Sequence, residues 1–149
     1  MAYCKAKDVR EMLKDDALNS IIGDTYIEDE GEREQKITPI VESAIADAEA
    51  EIDGYLAKRY PVPLSVVPQA ISKFAKDIAV YNLYSRIGID ESDKEKNYLN
   101  RYRAAVDFLK LVAEGKVELG VNSTKAAAKT GFAVKSNNRL FSRSSMRGM

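Results

Sequence analysis

EIDGYLAKRYPVPL, residues 51–64, is the stretch that decides the fold, because an amphipathic helical pattern runs here into Pro61 and Pro63. Each proline removes a backbone donor and disfavours helical geometry at the residue before it. The chain must therefore leave the helix in an extended conformation, and Pro68 is placed to open the next helix. We predict a structural corner formed by Tyr60, Pro61, Pro63 and Pro68.

Three long helices are predicted around this corner. The first begins at Thr38 and Pro39, an N-cap followed by proline at the first helical position. Its apolar residues recur at steps of three and four, namely Val41, Ile45, Ala48, Ile52 and Tyr55. The second, residues 68–87, is apolar on most sides. The third has a capping box at residues 92–95, and Gly115 is predicted to end it in a left-handed conformation. Its apolar stripe is Leu99, Tyr102, Val106, Leu109 and Val112.

The remaining segments are short or polar. Residues 7–14 and 17–22 have helical spacing, and Gly23 ends the second of them. Residues 24–35 are rich in acidic side chains and are predicted to form a solvated loop. They lack the alternating order of an EF-hand, which disfavours a calcium site. Strand-like alternation is limited to residues 116–119 and 131–134.

These patterns predict an all-α fold: a compact bundle of three long helices, one or two short N-terminal helices and a flexible basic C-terminal arm. We divide the chain into a helical domain, 1–120, and the arm, 121–149. A length of 149 residues suffices for one core. The single cysteine, Cys4, is expected to be an incidental thiol in a mobile N-terminus. No run is long enough to span a membrane or to form a signal-peptide core, so we expect a soluble protein of a reducing compartment.

The charges are unevenly distributed. The chain carries 23 acidic and 23 basic residues, and all the acidic ones precede residue 119. The arm therefore has basic residues and no carboxylate. We predict that the arm binds a partner and orders only when bound. Its basic residues are Lys125, Lys129, Lys135, Arg139, Arg143 and Arg147.

Catalytic chemistry has little support. Histidine is absent, one cysteine cannot form a zinc site, and no phosphate-binding glycine motif occurs. Two carboxylate pairs, Asp47 with Glu51 and Glu49 with Asp53, are predicted to lie on a solvated helix face rather than to form an acid/base dyad. We predict a protein that is not an enzyme and needs no cofactor or metal. A small hydrolase or metal-dependent enzyme is the least supported hypothesis.

The second long helix is too apolar to lie exposed to solvent, and its polar side is limited to Lys73, Lys76 and Asp77. A helix of this kind is buried in its own domain or by a neighbouring subunit. We predict an oligomer interface that contains Phe74, Ile78, Tyr81, Tyr84, Tyr98 and Tyr102. An alternative function is a nucleic-acid-binding accessory protein that acts through the basic arm, because only the arm places cations where they could bind phosphate.

Four stretches of the sequence occur in this order: the corner segment at 51–64, VPQAI at 67–71, KDIAVYNLY at 76–84 and AEGKVELG at 113–120. Together they resemble the Mu-like head-tail connector (joining) proteins of phages and prophages. The likeness spans residues 2–120 and leaves the arm outside. The resemblance implies a mostly helical subunit that forms a homo-oligomeric ring between portal and tail at the head-tail junction of the virion, after assembly in the host cytoplasm. The implied partners are the subunit itself, the portal protein and tail-side completion proteins, with possible contact to packaged DNA. No catalytic residue, cofactor or membrane is implied.

Overall fold

Helices form all the regular secondary structure in the residues that the structure, a computed structural model, describes: 2–23, 27–88 and 96–121. They are α1 (Ala6–Arg10), α2 (Asp15–Ile22), α3 (Glu30–Leu56), α4 (Gln69–Ser85) and α5 (Lys96–Glu114). The predicted all-α class, with three long helices and two short N-terminal ones, is confirmed. None of the helices in these ranges is long and apolar enough to cross a membrane.

Helix α3 starts nine residues earlier than predicted, and residues 30–35 are helical rather than part of a loop. The Asp29 side chain caps the helix by accepting a hydrogen bond from the Glu32 N–H at 3.0 Å. Acidic residues in the first turn also interact favourably with the positive end of the helix dipole. The predicted start at Thr38 and Pro39 is wrong, since Pro39 lies inside the helix and is exposed. The Thr38 hydroxyl donates to the Glu34 carbonyl at 2.7 Å, which satisfies a backbone acceptor in this region.

The core is built where α3, α4 and α5 pack against one another, with α1 and α2 covering α3 and α4. Helix α4 is central and contributes buried residues on several sides, which explains its apolar sequence. Much of the apolar surface of α4, for which a neighbouring subunit was considered, is therefore covered by other helices of the same chain. The fully buried large side chains include Leu18, Ile37, Ile52, Leu56, Ile71, Ile78, Leu83 and Leu109.

The N-terminus is part of this core, contrary to the predicted mobile segment. Tyr3 is 2% and Cys4 is 4% exposed, and both belong to the main cluster of buried residues. Burial, and after it the nearby Glu49 and Asp8, raises the pKa of the Cys4 thiol to about 11. The thiol is therefore protonated at neutral pH and packs as a small apolar group, which agrees with an incidental cysteine.

Both predicted glycine helix ends are confirmed: Gly23 follows α2 with a φ of 116°, and Gly115 follows α5 with a φ of 84°. Residues 116–119 form no strand; residues 116–117 are bends and 118–119 are irregular. The capping box at 92–95 and the strand-like segment at 131–134 lie outside the described residues.

Candidate functional site

The proline corner joins the end of α3 to the segment that follows α5. Tyr60 is 2% exposed, and its hydroxyl accepts a hydrogen bond from the Leu119 N–H at 3.1 Å. Pro61 and Pro63 lie in an irregular connection with bends at residues 62–63 and 65–66 rather than in the predicted extended chain, and the Val62–Pro63 peptide bond is cis. Pro68 is the N-cap of α4, one residue before its first turn. The corner therefore turns the chain from α3 to α4 and also fixes the exit from α5.

Arg59 makes a second connection between the same two segments. Its Nη1 donates to the Val112 carbonyl at 3.1 Å and lies 3.5 Å from the Val117 carbonyl oxygen. Its guanidinium carries positive charge to the carbonyl end of α5, where the helix dipole favours a cation. Gly115 allows this approach, because a Cβ at that position would lie 3.2 Å from Arg59 Nη1. Nη2 also lies 4.0 Å from the exposed Glu118 carboxylate.

Tyr3 ties the N-terminus to the other side of the corner. Its hydroxyl accepts a hydrogen bond from the Leu64 N–H at 3.0 Å and donates one to Asp53, while its N–H donates to Glu49 at 2.6 Å. Burial, followed by the hydrogen bond to Asp53, raises the pKa of Tyr3 to about 12. Glu49 and Asp53 are thus half-buried acceptors for the N-terminus. Glu51 is also half-buried, so the predicted solvated face holds fully for Asp47 alone among the four carboxylates.

Removing the Tyr3 hydroxyl should change the alkaline stability of the fold. Below pH 10 the phenol is neutral in both states, so its full contribution to stability is present. Between pH 10 and about 12 the unfolded chain releases this proton while the folded chain keeps it, and stability falls as pH rises. We expect Tyr3→Phe to be less stable than the natural chain at pH 8, with the difference narrowing above pH 10. Urea unfolding at a series of pH values measures this, and a constant difference would contradict it.

The six residues predicted to form an oligomer interface line the contact between α4 and α5 or the core beneath it. Tyr81 stacks on Tyr102 with ring centroids 4.1 Å apart, and Tyr84 stacks on Tyr98 at 4.2 Å. Phe74 instead contacts Phe108 at 4.7 Å. All five aromatic rings of the predicted interface thus have aromatic partners within the chain.

The six residues of the predicted interface also differ in solvent exposure. Ile78 is fully buried and Tyr84 is 6% exposed, so both side chains pack in the subunit's own core and are not available to a neighbour. Phe74, Tyr81, Tyr98 and Tyr102 are partly exposed. An interface role for these four stays a prediction.

The sequence did not predict a buried ion pair in the contact between α4 and α5, which we call the α4/α5 seam. Asp77 was assigned to the wet side of α4, yet it is 3% exposed. Its carboxylate contacts the Arg101 guanidinium, and Lys73 Nζ lies 3.4 Å from its Oδ2. The only available signal was one acidic residue within an apolar run. Beside this pair, the Tyr102 hydroxyl donates to Glu51 at 3.0 Å, so α3 is bonded to α5 as well.

A groove of about 430 Å³ opens beside the corner. It is lined by Pro61, Leu64, Ser65, Val66, Gly120 and Val121. Val66 is 65% exposed, more than any other large apolar residue in the described ranges. The six basic arm residues lie outside those ranges. Within 2–23, 27–88 and 96–121 no group of three or more acidic or cysteine side chains is arranged to hold a metal ion.

Comparisons with known proteins agree with the resemblance seen in the sequence. The family model described as Bacteriophage Mu, Gp36 matches residues 3–136. Gene product J of Escherichia phage Mu is 37% identical over 107 residues, which cover 70% of this chain and 72% of that protein. The Mu-like prophage FluMu protein gp36 of Haemophilus influenzae is 28% identical over 110 residues, covering 72% and 74%. The family match extends past residue 120, so the prediction that the whole arm lies outside it is wrong.

Proposed function

We propose a head-tail connector role for this chain, which belongs to the Bacteriophage Mu Gp36 family and is therefore a Mu-like phage or prophage protein. In this role identical subunits form a ring between the portal protein and the tail, without catalysis. The observation that carries the proposal is the connection between the corner and residues 116–120. Both segments carried the resemblance to connectors, and Arg59 and Tyr60 join them through Val117 and Leu119.

This connection gives the subunit a rigid frame for assembly. Three helix ends meet at the corner: the end of α3, the start of α4 and the end of α5. Hydrogen bonds from Arg59 to Val112 and from Leu119 to Tyr60 join the ends of α3 and α5. A ring requires the same contact to repeat between successive subunits, and a rigid frame keeps that contact geometry constant.

Partly exposed apolar residues provide the surface for such contacts. Besides the four aromatic rings of the α4/α5 seam, three large apolar residues in the described ranges are exposed: Val66 at 65%, Ile87 at 42% and Leu111 at 39%. We propose that the seam side of the subunit contacts its neighbour. The basic arm is then available to bind the portal protein or a tail-side completion protein through acidic surfaces, with packaged DNA as a second possible contact.

Mass measurements in solution test the proposal. Light scattering coupled to size exclusion should show oligomers that grow with concentration, or a ring that forms when purified portal protein is added. A chain without residues 122–149 serves as the matched variant and should bind portal more weakly. A strict monomer that also ignores portal protein would contradict the connector role.

A gene deletion tests the same role in the particle. We expect induced lysogens that lack the gene to accumulate separate heads and tails, and a plasmid copy to restore joined particles. Joined, infectious particles in the deletion would overturn the proposal. Salt titrations of DNA binding examine the alternative role: binding that falls steeply with salt and disappears with residues 122–149 would support an accessory nucleic-acid-binding protein.

A further inference from the structure

The corner groove has the character of a binding site for an extended apolar segment. Pro61, Leu64 and Val66 provide apolar walls, and Gly120 leaves one side without a side chain. Val66 lines the groove and is 65% exposed. An apolar segment bound in the groove would remove this side chain and the exposed Pro61 from water.

The described chain ends inside this groove, because Val121 is one of its lining residues. The next apolar residues along the sequence are in the segment Gly-Phe-Ala-Val at 131–134. In an extended segment, Phe132 and Val134 fall on one face and Ala133 on the other. The segment also lies within the family match, which ends at residue 136, whereas Leu140 and Phe141 do not.

We propose that residues 131–134 bind the corner groove of the same subunit, with the side chains of Phe132 and Val134 against the exposed Val66 and Pro61. The spacer of residues 122–130 permits this. A random-coil chain of nine residues has an end-to-end distance of about 15–18 Å, a length that allows a chain to leave the groove and return to its open side. A tether of this length gives an effective concentration in the millimolar range, which favours the subunit's own segment over that of another copy.

The charges beside the groove agree with this occupant. Lys129 and Lys135 flank the segment. Glu118 lies two residues before Gly120 and has a side chain that is 75% exposed. Asp53 is linked to the lining residue Leu64 through the Tyr3 hydroxyl. The apolar segment is therefore flanked by cations, whereas Glu118 and Asp53 place negative charge near residues that line the groove. This inference does not depend on the connector role, since it concerns a single subunit.

Disulfide trapping tests the contact and leaves its apolar residues intact. In a Cys4→Ala background, Ser65→Cys is combined with Ala133→Cys, which places one thiol at the groove rim and the other on the outward face of the segment. The matched control combines Ala133→Cys with Ala46→Cys, at an exposed position of α3. In dilute protein under a glutathione redox buffer, we expect the 65–133 bond to form within one chain at least about tenfold faster than the 46–133 bond. Equal rates, or bonds that link two chains, would overturn the proposal.

Limited proteolysis gives an independent readout in the full chain. Trypsin cleaves after Lys129 and Lys135, on either side of the segment. Val66→Asp is expected to speed cleavage at both sites several-fold, whereas Leu111→Asp, a change at another exposed apolar residue, should leave it unchanged. Circular dichroism establishes that both variants fold. Cleavage in folded Val66→Asp at the rate of the natural chain would show that the segment does not occupy the groove.

Discussion

Replacing Tyr60 with alanine is expected to lower the free energy of unfolding by about 4 kcal/mol, within the range for removal of a buried aromatic side chain. The ring is 2% exposed, so its loss leaves a cavity at the junction of α3 and α5. The Leu119 N–H would also lose its acceptor. Urea unfolding followed by circular dichroism measures the change.

Tyr60→Phe is the matched control, because it keeps the ring and removes only the hydroxyl. The expected loss is about 1 kcal/mol, the net value of one hydrogen bond in a part-buried site. If the two variants differ by less than 1 kcal/mol, the ring does not support the corner. Because Tyr60 joins the two segments that carried the resemblance to connectors, we also expect Tyr60→Ala to weaken oligomer formation at temperatures where it remains folded.

The features that could be predicted from the sequence are those set by nearby residues. The periods of α4 and α5, the glycine ends at Gly23 and Gly115 and the corner at Pro61 and Pro63 depend on spacing and on backbone chemistry. The predicted start of α3 was wrong because two local signals for a helix N-terminus competed. The cap at Asp29 prevailed over Thr38 and Pro39, since the earlier start also buries Ile37.

The features that could not be predicted depend on contacts far apart in sequence. Tyr3 is placed by Glu49, Asp53 and Leu64, about fifty to sixty residues away. Without these partners, an N-terminus with a tyrosine and a cysteine has no local pattern that indicates burial. The aromatic rings of α4 were identified as contact residues, but composition cannot tell whether the contact is another helix of the same chain or a neighbouring subunit.

Arg101→Met is expected to destabilise the fold by about 3 kcal/mol, because it leaves the Asp77 carboxylate buried without its main partner. The Asp77 side chain is 1% exposed, while Arg101 is 38% exposed. This partial exposure places the estimate at the lower end of the values for a broken buried pair. Lys73 stays 3.4 Å from the carboxylate but is itself largely in solvent, so it offsets only part of the loss. Thermal and urea unfolding measure the difference.

The decisive comparison adds Asp77→Asn, which removes the charge and keeps the shape of the side chain. In the natural chain this change should destabilise the fold by about 1–2 kcal/mol, since a charge-assisted hydrogen bond is lost. In the Arg101→Met chain it should instead stabilise the fold, because it removes an uncompensated buried charge. A reversal of sign between the two backgrounds is expected only if the pair acts as a unit. The same destabilisation in both would mean that Arg101 contributes through packing of its aliphatic stem, and that Asp77 is held in the seam by other groups.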